Sequence, residues 1–488
     1  MRKVLENSFY NLAGQVLPMI LGLIVVPILI KDIGKELFGL LTVIWVFVGY
    51  FSLFDLGLGR AITRLTVEFL KKNEDQNIRS LFWIAIRWMG YISGSVVLIM
   101  FFFSESIVQK VFKIQDIYKP DVILAIKILA ISVPLVAWQG ALRGFLEAYT
   151  KFKFLNLIQS MMGLYTFGSP LIAWGFHQSL TSIVCFIVVG RTLFLGIHLI
   201  YIYKKWPWIF KSSPENINTV EQEQIIIQRI KHFGGWLTVS NIIGPIMVYF
   251  DRFILGSLVS MAQVAFYTTP YEFVSRISIL PSSLVRVLFP EFSKHISSQD
   301  GHQKIVDLYF LSLKLLFVIL IIPCAGLVYF GKEGLSFWLG SDFAESAFPI
   351  LQILTIGIFF NSLALIPFTL VQSTEKVDWT AKLHLLELPL YLGALWWMIK
   401  LYNLIGSAIV WTVRMVVDEM ALSLMIEKSG SFKINSWGFK FKLYFLSAII
   451  FGMGFLNLSV LIRAMMLGLL ILMAFYFIWK NKKPIFKH

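Results

Sequence analysis

Hydrophobic residues in this chain do not alternate with polar ones, nor do they form a one-sided stripe. They come in long runs, apolar on every side, separated by short polar loops. Crossing a bilayer takes about 20 apolar residues in a helix. Fourteen runs meet that length, at roughly 8–30, 37–59, 80–103, 121–145, 154–176, 181–203, 232–257, 263–289, 306–330, 346–371, 379–399, 403–426, 440–457 and 459–479. Prolines 18, 27, 134, 170, 245, 281, 323, 367 and 389 fall inside runs, as membrane helices tolerate. They offer bending points, Pro18 and Pro245 above all. Arg2 and Lys3 precede the first run, and no small-residue cleavage site follows it. It therefore reads as the first span and not as a removable signal.

The loops alternate in charge. One set carries Arg2 and Lys3; Arg64, Lys71, Lys72 and Arg79; Lys151 and Lys153; Lys204, Lys205, Lys211, Arg229 and Lys231; Lys294 and Lys304; Lys376; Lys428 and Lys433; and Lys480, Lys482, Lys483 and Lys487. The other set is short and mixed: KDIGKE (31–36), SESIVQKVFKIQDIYKPD (104–121), HQSL (177–180) and SLVSMAQ (257–263). Positive loops stay in the cytoplasm. Both termini are then cytoplasmic, as an even number of spans requires.

The longest cytoplasmic connector, 204–231, holds a Ser-Ser-Pro turn and an amphipathic segment with Ile225, Ile226 and Ile227. This segment reads equally as an interfacial helix or an ordinary linker. The connector divides the chain into an N-terminal lobe of six spans (1–203) and a C-terminal lobe of six (232–428). Two further spans and a basic tail follow (429–488). An offset of 226 lays Arg60 on Arg286 and span upon span, with few identities. Six-span halves keep their orientation, so the repeat is parallel, related by an axis along the membrane normal.

Composition agrees. Of 488 residues, 57% are hydrophobic and 15% charged, and mean hydropathy is +0.75. No soluble domain of this size has so little polar surface. The expected fold class is all-α and polytopic. The net charge of +15 sits in loops and not on a basic stripe with interleaved aromatics, so nucleic acid is not an expected partner. The two cysteines, Cys185 and Cys324, lie inside spans, where neither a disulfide nor a metal site is expected.

Four stretches carry a family resemblance: NSFYNLAGQVLPMILGLIVVPILI (7–30), GKELFGLL (34–41), FDLGLGRAITRL (54–65) and YFDRFILGSLVSMAQVAFYTTPYEF (249–273). They resemble the polysaccharide transporter branch of the multidrug/oligosaccharidyl-lipid/polysaccharide (MOP) exporter superfamily, and more narrowly its Wzx-type oligosaccharide flippases. The likeness extends over essentially the whole chain. It implies two six-helix lobes around a cationic cavity. It also implies transfer of an undecaprenyl-pyrophosphate-linked oligosaccharide, an O-antigen, capsule or exopolysaccharide unit, from the cytoplasmic to the outer leaflet of a prokaryotic inner membrane. The expected partners are that glycolipid, membrane lipids, and the polysaccharide polymerase with its chain-length machinery.

An ionisable residue inside a span costs about 2.5–3.5 kcal/mol on insertion scales, so each needs a reason. Arg191, Arg276 and Arg414 fall near mid-membrane by residue count, and Arg252 lies toward the outer third of its span. A planar guanidinium matches phosphate oxygens bidentately, so these four are the candidate cavity residues. Glu272 lies one turn from Arg276 and Asp418 one turn from Arg414, so both arginines have an alternative role in pairs within one helix. Arg191 has no acid in its own span. Arg60, Arg64, Arg143 and Arg286, near cytoplasmic ends, read either as a cationic mouth or as positive-inside anchors. Gly57 and Gly59, beside that mouth, allow close backbone approach.

Outward movement of an anion across a membrane negative inside is downhill. Asp55, Asp251, Glu272, Glu387 and Asp418 are candidates to carry a coupled proton or sodium ion, and the sequence leaves coupling open. No cofactor is expected, and no nucleotide-binding signature is present. A lipid II flippase and a multidrug or cation antiporter of the same superfamily stay open as alternatives. Buried acids would dominate in a cation exporter, whereas here arginines dominate at mid-membrane. An enzyme would need a reactive cluster at a loop, and no cluster has metal or nucleophile spacing.

Overall fold

A computed structural model describes residues 2–50, 58–110, 114–211, 224–228, 246–247, 250–296, 301–374, 378–428, 437–456 and 458–480. Among them the regular structure is helical throughout: α1 (Arg2–Tyr50), α2 (Leu58–Lys72), α3 (Asp75–Lys110), α4 (Lys119–Ala130), α5 (Ser132–Ala148), α6 (Phe152–Phe176), α7 (Leu180–Lys205), α8 (Met261–Ser275), α9 (Ile279–Ile296), α10 (Gly301–Leu339), α11 (Ser341–Ser373), α12 (Asp378–Lys428), α13 (Trp437–Met453) and α14 (Val460–Lys480). The all-α expectation holds. The helices cover the expected spans, except that 51–57 and most of 232–257 lie outside the described residues, as does Pro245. Among the described residues, five helical segments, including α3, α7, α10 and α11, are long and apolar enough to cross a membrane.

The run-length reading placed two loops well. Spans one and two form one helical stretch broken at Gly34, whose φ of +80° is a left-handed conformation that glycine adopts at little cost. Spans eleven and twelve are joined at Asn403, with φ 50°. The outer loop expected at 104–121 is shorter than expected, because α3 runs on to Lys110. Ser104 and Val108 are buried in that extension, so these turns have a protein face to pack on.

The chain divides into two compact units, Met1–Ala265 and Phe266–His488. In the first, loops assigned to the same side of the membrane meet. Gln115 donates to Glu36 from both its backbone and its side-chain amide (3.0 and 2.6 Å). Asp121 accepts from the backbone N–H groups of Leu180 and Thr181 (2.7 and 3.1 Å). At the opposite ends, Trp206 packs on Phe145 and Tyr149, and Trp83 donates to the carbonyl of Ile209. Burial, helped by Asp75, pushes the Tyr149 phenol up to about 12.

The core of that end is made by α2, α3, α5 and α7, with Ile62, Leu65 and Phe69 of α2 facing in at helical spacing. Ile226 of the connector is buried in the same core while Ile225 is exposed. Part of the connector's apolar face is therefore occupied by protein.

Backbones approach closely at α2 and α5. A Cβ at Gly144 would stand 2.3 Å from the carbonyl oxygen of Gly59. Thr63 Oγ1 bridges the two carbonyls at 3.0 and 2.9 Å. The close approach expected for Gly59 is thus present; Gly57 lies outside the described residues. Gly144→Ala should force these helices apart and destabilise the first unit by about 1–3 kcal/mol. Thermal unfolding of the purified variant reads this directly, and an unchanged midpoint would refute it.

The second unit is built on α10, α11 and α12. Its α10 has 39 residues, about 58 Å at 1.5 Å per residue, so it projects past any bilayer core. Buried Gln352 donates to the carbonyls of Val328 and Gly454 (3.0 Å each), and Tyr329 donates to that of Ile450 (2.7 Å). These bonds tie α13 to α10 and α11. Both cysteines are free thiols.

Candidate functional site

Two constellations of buried or half-buried charge stand out, one in each unit. The first is a narrow cleft between α6 and α7, whose walls include Met162, Tyr165, Thr166, Gly190, Arg191 and Phe194. The local sequence explains its shape. A Cβ at Gly190 would stand 2.1 Å from the Tyr165 ring, so glycine there lets the ring lie across α7. The Tyr165 hydroxyl donates to the carbonyl of Phe186 (2.8 Å). Buried Gln139 of α5 donates to the carbonyl of Arg191 (3.1 Å), which fixes α7 at this level. Among the described residues, the Arg191 guanidinium has no hydrogen-bond or ion-pair partner. A partnerless cation between apolar walls and two hydroxyl-bearing side chains is suited to receive an anion.

The second constellation lies in α12. His384 and Asp418 are 34 residues apart in sequence, about 50 Å along a straight helix. Their Nε2 and Oδ1 atoms are 3.6 Å apart, because the chain folds back at Asn403. The return is close: a Cβ at Gly406 would stand 2.1 Å from the carbonyl oxygen of Met398. Glu387 joins the pair, with donor atoms of all three residues within 4.8 Å of one another. Arg414 stands nearby, its guanidinium carbon 5.0 Å from the centroid of the Tyr391 ring.

The other sequence candidates distribute as follows. Arg276 forms the anticipated pair within its helix, 3.7 Å from Glu272, both partly exposed. The anticipated Arg414–Asp418 pair is not formed: Asp418 faces His384 and Arg414 faces Tyr391, because the fold-back brings other partners nearer. Arg252 is wholly buried beside equally buried Asp251, Nη1 to Oδ1 3.3 Å. It is sealed from any ligand in this conformation. Arg143 is exposed and paired with Glu147 at 2.8 Å. Asp55 and the side chains of Arg60, Arg64 and Arg286 lie outside the described residues.

Sequence reading missed two participants. His384 lies one turn before Glu387 on α12, an i, i+3 spacing that could have drawn attention to it. Lys440 of α13 is 1% exposed and paired with Glu419, also 1% exposed. Ser423 Oγ accepts from the same ammonium, and the Tyr444 hydroxyl donates to the same carboxylate. Lys440 also lies 5.7 Å from the centroid of the Tyr309 ring of α10. Lys440 stands at the predicted start of a span, 21 residues from Glu419, so no spacing on one helix links the two.

Long apolar helices in two compact units, with charge held inside each, define a multi-pass membrane protein of the transporter class. The chain belongs to the family of polysaccharide biosynthesis proteins, whose pattern matches residues 4–296. It is 31% identical over 429 residues to a Shigella flexneri protein named "Putative O-antigen transporter", covering 88% of this chain and 99% of that one. Among solved structures, it superposes with a TM-score of 0.71 on the lipid II flippase MurJ in an inward closed conformation, at 15% identity, over 98% of this chain and 100% of that one. An inward-facing multidrug resistance transporter of the MATE family and MOP superfamily gives 0.69 at 13% identity, over 86% and 98%. At such identities the likeness concerns fold alone, and the fold is that of the MOP superfamily.

Proposed function

We propose that this protein is a flippase that carries an undecaprenyl-pyrophosphate-linked oligosaccharide from the cytoplasmic to the outer leaflet of the inner membrane. The observation that supports it most is Arg191: a guanidinium without a partner among the described residues, on a cleft in a membrane helix. The name of the Shigella flexneri relative points to the same class of cargo. In this reading the two six-span lobes, 1–203 and 232–428, alternate access to a cavity between them. Residues 204–231 join them, 429–488 are appended, and both termini are cytoplasmic.

Arg191 meets the pyrophosphate, and Arg276 and Arg414 add positive charge as their acid partners release them. Arg60, Arg64, Arg143 and Arg286 gather the headgroup at the cytoplasmic mouth. The lipid tail stays in the bilayer. The membrane potential contributes about 2.3 kcal/mol per charge per 100 mV, so a doubly charged headgroup is driven outward without nucleotide. Delivery to a polymerase and its chain-length machinery follows from the cargo.

The test is reconstitution of the purified protein in liposomes with a short pyrophosphate-linked glycolipid. Glycan reaching the far leaflet is scored with a membrane-impermeant glycosidase under an imposed potential. Transfer well above that of protein-free liposomes is expected. Transfer at the protein-free rate would reject the reading. Transfer of a peptidoglycan-precursor headgroup with no transfer of the oligosaccharide would replace it with the lipid II alternative.

A further inference from the structure

We propose that His384, Glu387 and Asp418 form a proton-binding site inside the second unit, with one proton held among the two carboxylates and the imidazole. Three observations carry it. The donor atoms of these residues converge within 4.8 Å, although Asp418 comes from the far side of the fold-back at Asn403. Glu387 is 6% exposed and Asp418 8%. Both carboxylate oxygens of Glu387, and Oδ1 of Asp418, are buried without a hydrogen-bond partner.

A buried carboxylate with no partner is strongly disfavoured as an anion, so something must neutralise it. The surrounding charges identify the occupant. The like charge of Asp418 works against a charged Glu387 and nearby Arg414 works for it, so two carboxylates this close favour holding a proton between them. The helix packed against them, α11, carries its only charged residues, Asp342 and Glu345, in its opening turns. Glu345 is about 35 Å along the helix from Phe368, whose ring stacks on His384 at 6.5 Å. Tyr391 faces Arg414. Glu419, next to Asp418, is bound to Lys440 of α13, and Lys382 is exposed.

A proton removes one of these two negative charges and asks for no further ligands, whereas a calcium or magnesium ion takes six or more.

The experiment is infrared difference spectroscopy of the full chain in lipid nanodiscs across a pH series. Wild type should show a protonated-carboxyl stretch at neutral pH that fades on alkalinisation. Glu387→Gln should remove most of it, and Asp418→Asn should alter it. Arg414→Gln should move the titration to higher pH by about one unit or more, because the carboxylate loses its countercharge. Each variant is first shown to elute and melt like wild type. Should one fail to fold, the wild-type band and the remaining variants still decide.

Absence of the band in wild type, or a band unmoved by Glu387→Gln and Asp418→Asn together, overturns the proposal. So does a band abolished by sodium, magnesium or zinc at fixed pH, which would make this a metal site. A role in coupling rests on the flippase reading and is separable from it. With both correct, glycolipid transfer responds to an imposed pH gradient in wild type and loses that response in Glu387→Gln. With no transfer at all, the flippase reading falls while the spectroscopic result stands.

Discussion

Replacing Lys440 by methionine should destabilise the second unit by about 3–5 kcal/mol, the usual cost of removing one member of a buried ion pair. The residue would leave Glu419 as a buried carboxylate whose cationic partner is gone, with Ser423 and the Tyr444 hydroxyl as its remaining polar company. Since α13 carries Lys440 and α12 carries Glu419 and Ser423, the loss should show first as detachment of the appended helices. Protease sensitivity of the segment joining α12 to α13 would report it. Glu419→Gln alone should also destabilise, because it strands the ammonium. The double variant Lys440→Met with Glu419→Leu should recover much of the loss, since apolar replacement of a whole buried pair is often neutral or stabilising. A double-mutant cycle on unfolding in detergent measures the coupling. Additive effects of the two single substitutions would show that the pair is not an energetic unit.

Arg191→Ala should behave in the opposite way. The guanidinium has no protein partner among the described residues, so its removal should leave the melting midpoint unchanged or slightly raised. Transport should fall. A charge-assisted hydrogen bond is worth about 1.5–3 kcal/mol, which corresponds to a loss of apparent glycolipid affinity of roughly 10- to 100-fold. Arg191→Lys keeps the charge without the bidentate geometry and should retain part of the activity. Normal transport with a lowered melting midpoint would reassign Arg191 to the fold. Gln139→Leu frees the carbonyl of Arg191 and should reduce transport less than Arg191→Ala does.

The opening of α2 shows how far local pattern reaches. FDLGLGRAITRL signalled a membrane exit with glycines suited to close approach, and the structure places Gly59 against Gly144 of α5. Which helix Gly59 would meet was not legible, because that partner is 85 residues away. Arg276 and Glu272 were legible as a pair because they share one helix face. Arg414 and Asp418 have the same spacing and do not pair, because the first segment of α12, folded back at Asn403, brings His384 and Tyr391 within reach. Spacing on one helix therefore proposes a partner, and packing decides whether a competitor is nearer.

By itself the sequence determined the all-α membrane class, the order of the spans, the loops at Gly34 and Asn403, and the family. Each follows from the length of an apolar run, the charge of a loop or a local motif, and needs no knowledge of distant contacts. Only the tertiary structure decided which charges meet: His384 with Asp418, Lys440 with Glu419, and Arg191 with none among the described residues. Helices apolar on every side carry no stripe to say which residue faces inward. That depends on how each helix is rotated against its neighbours, and the rotation is set by packing over the whole unit.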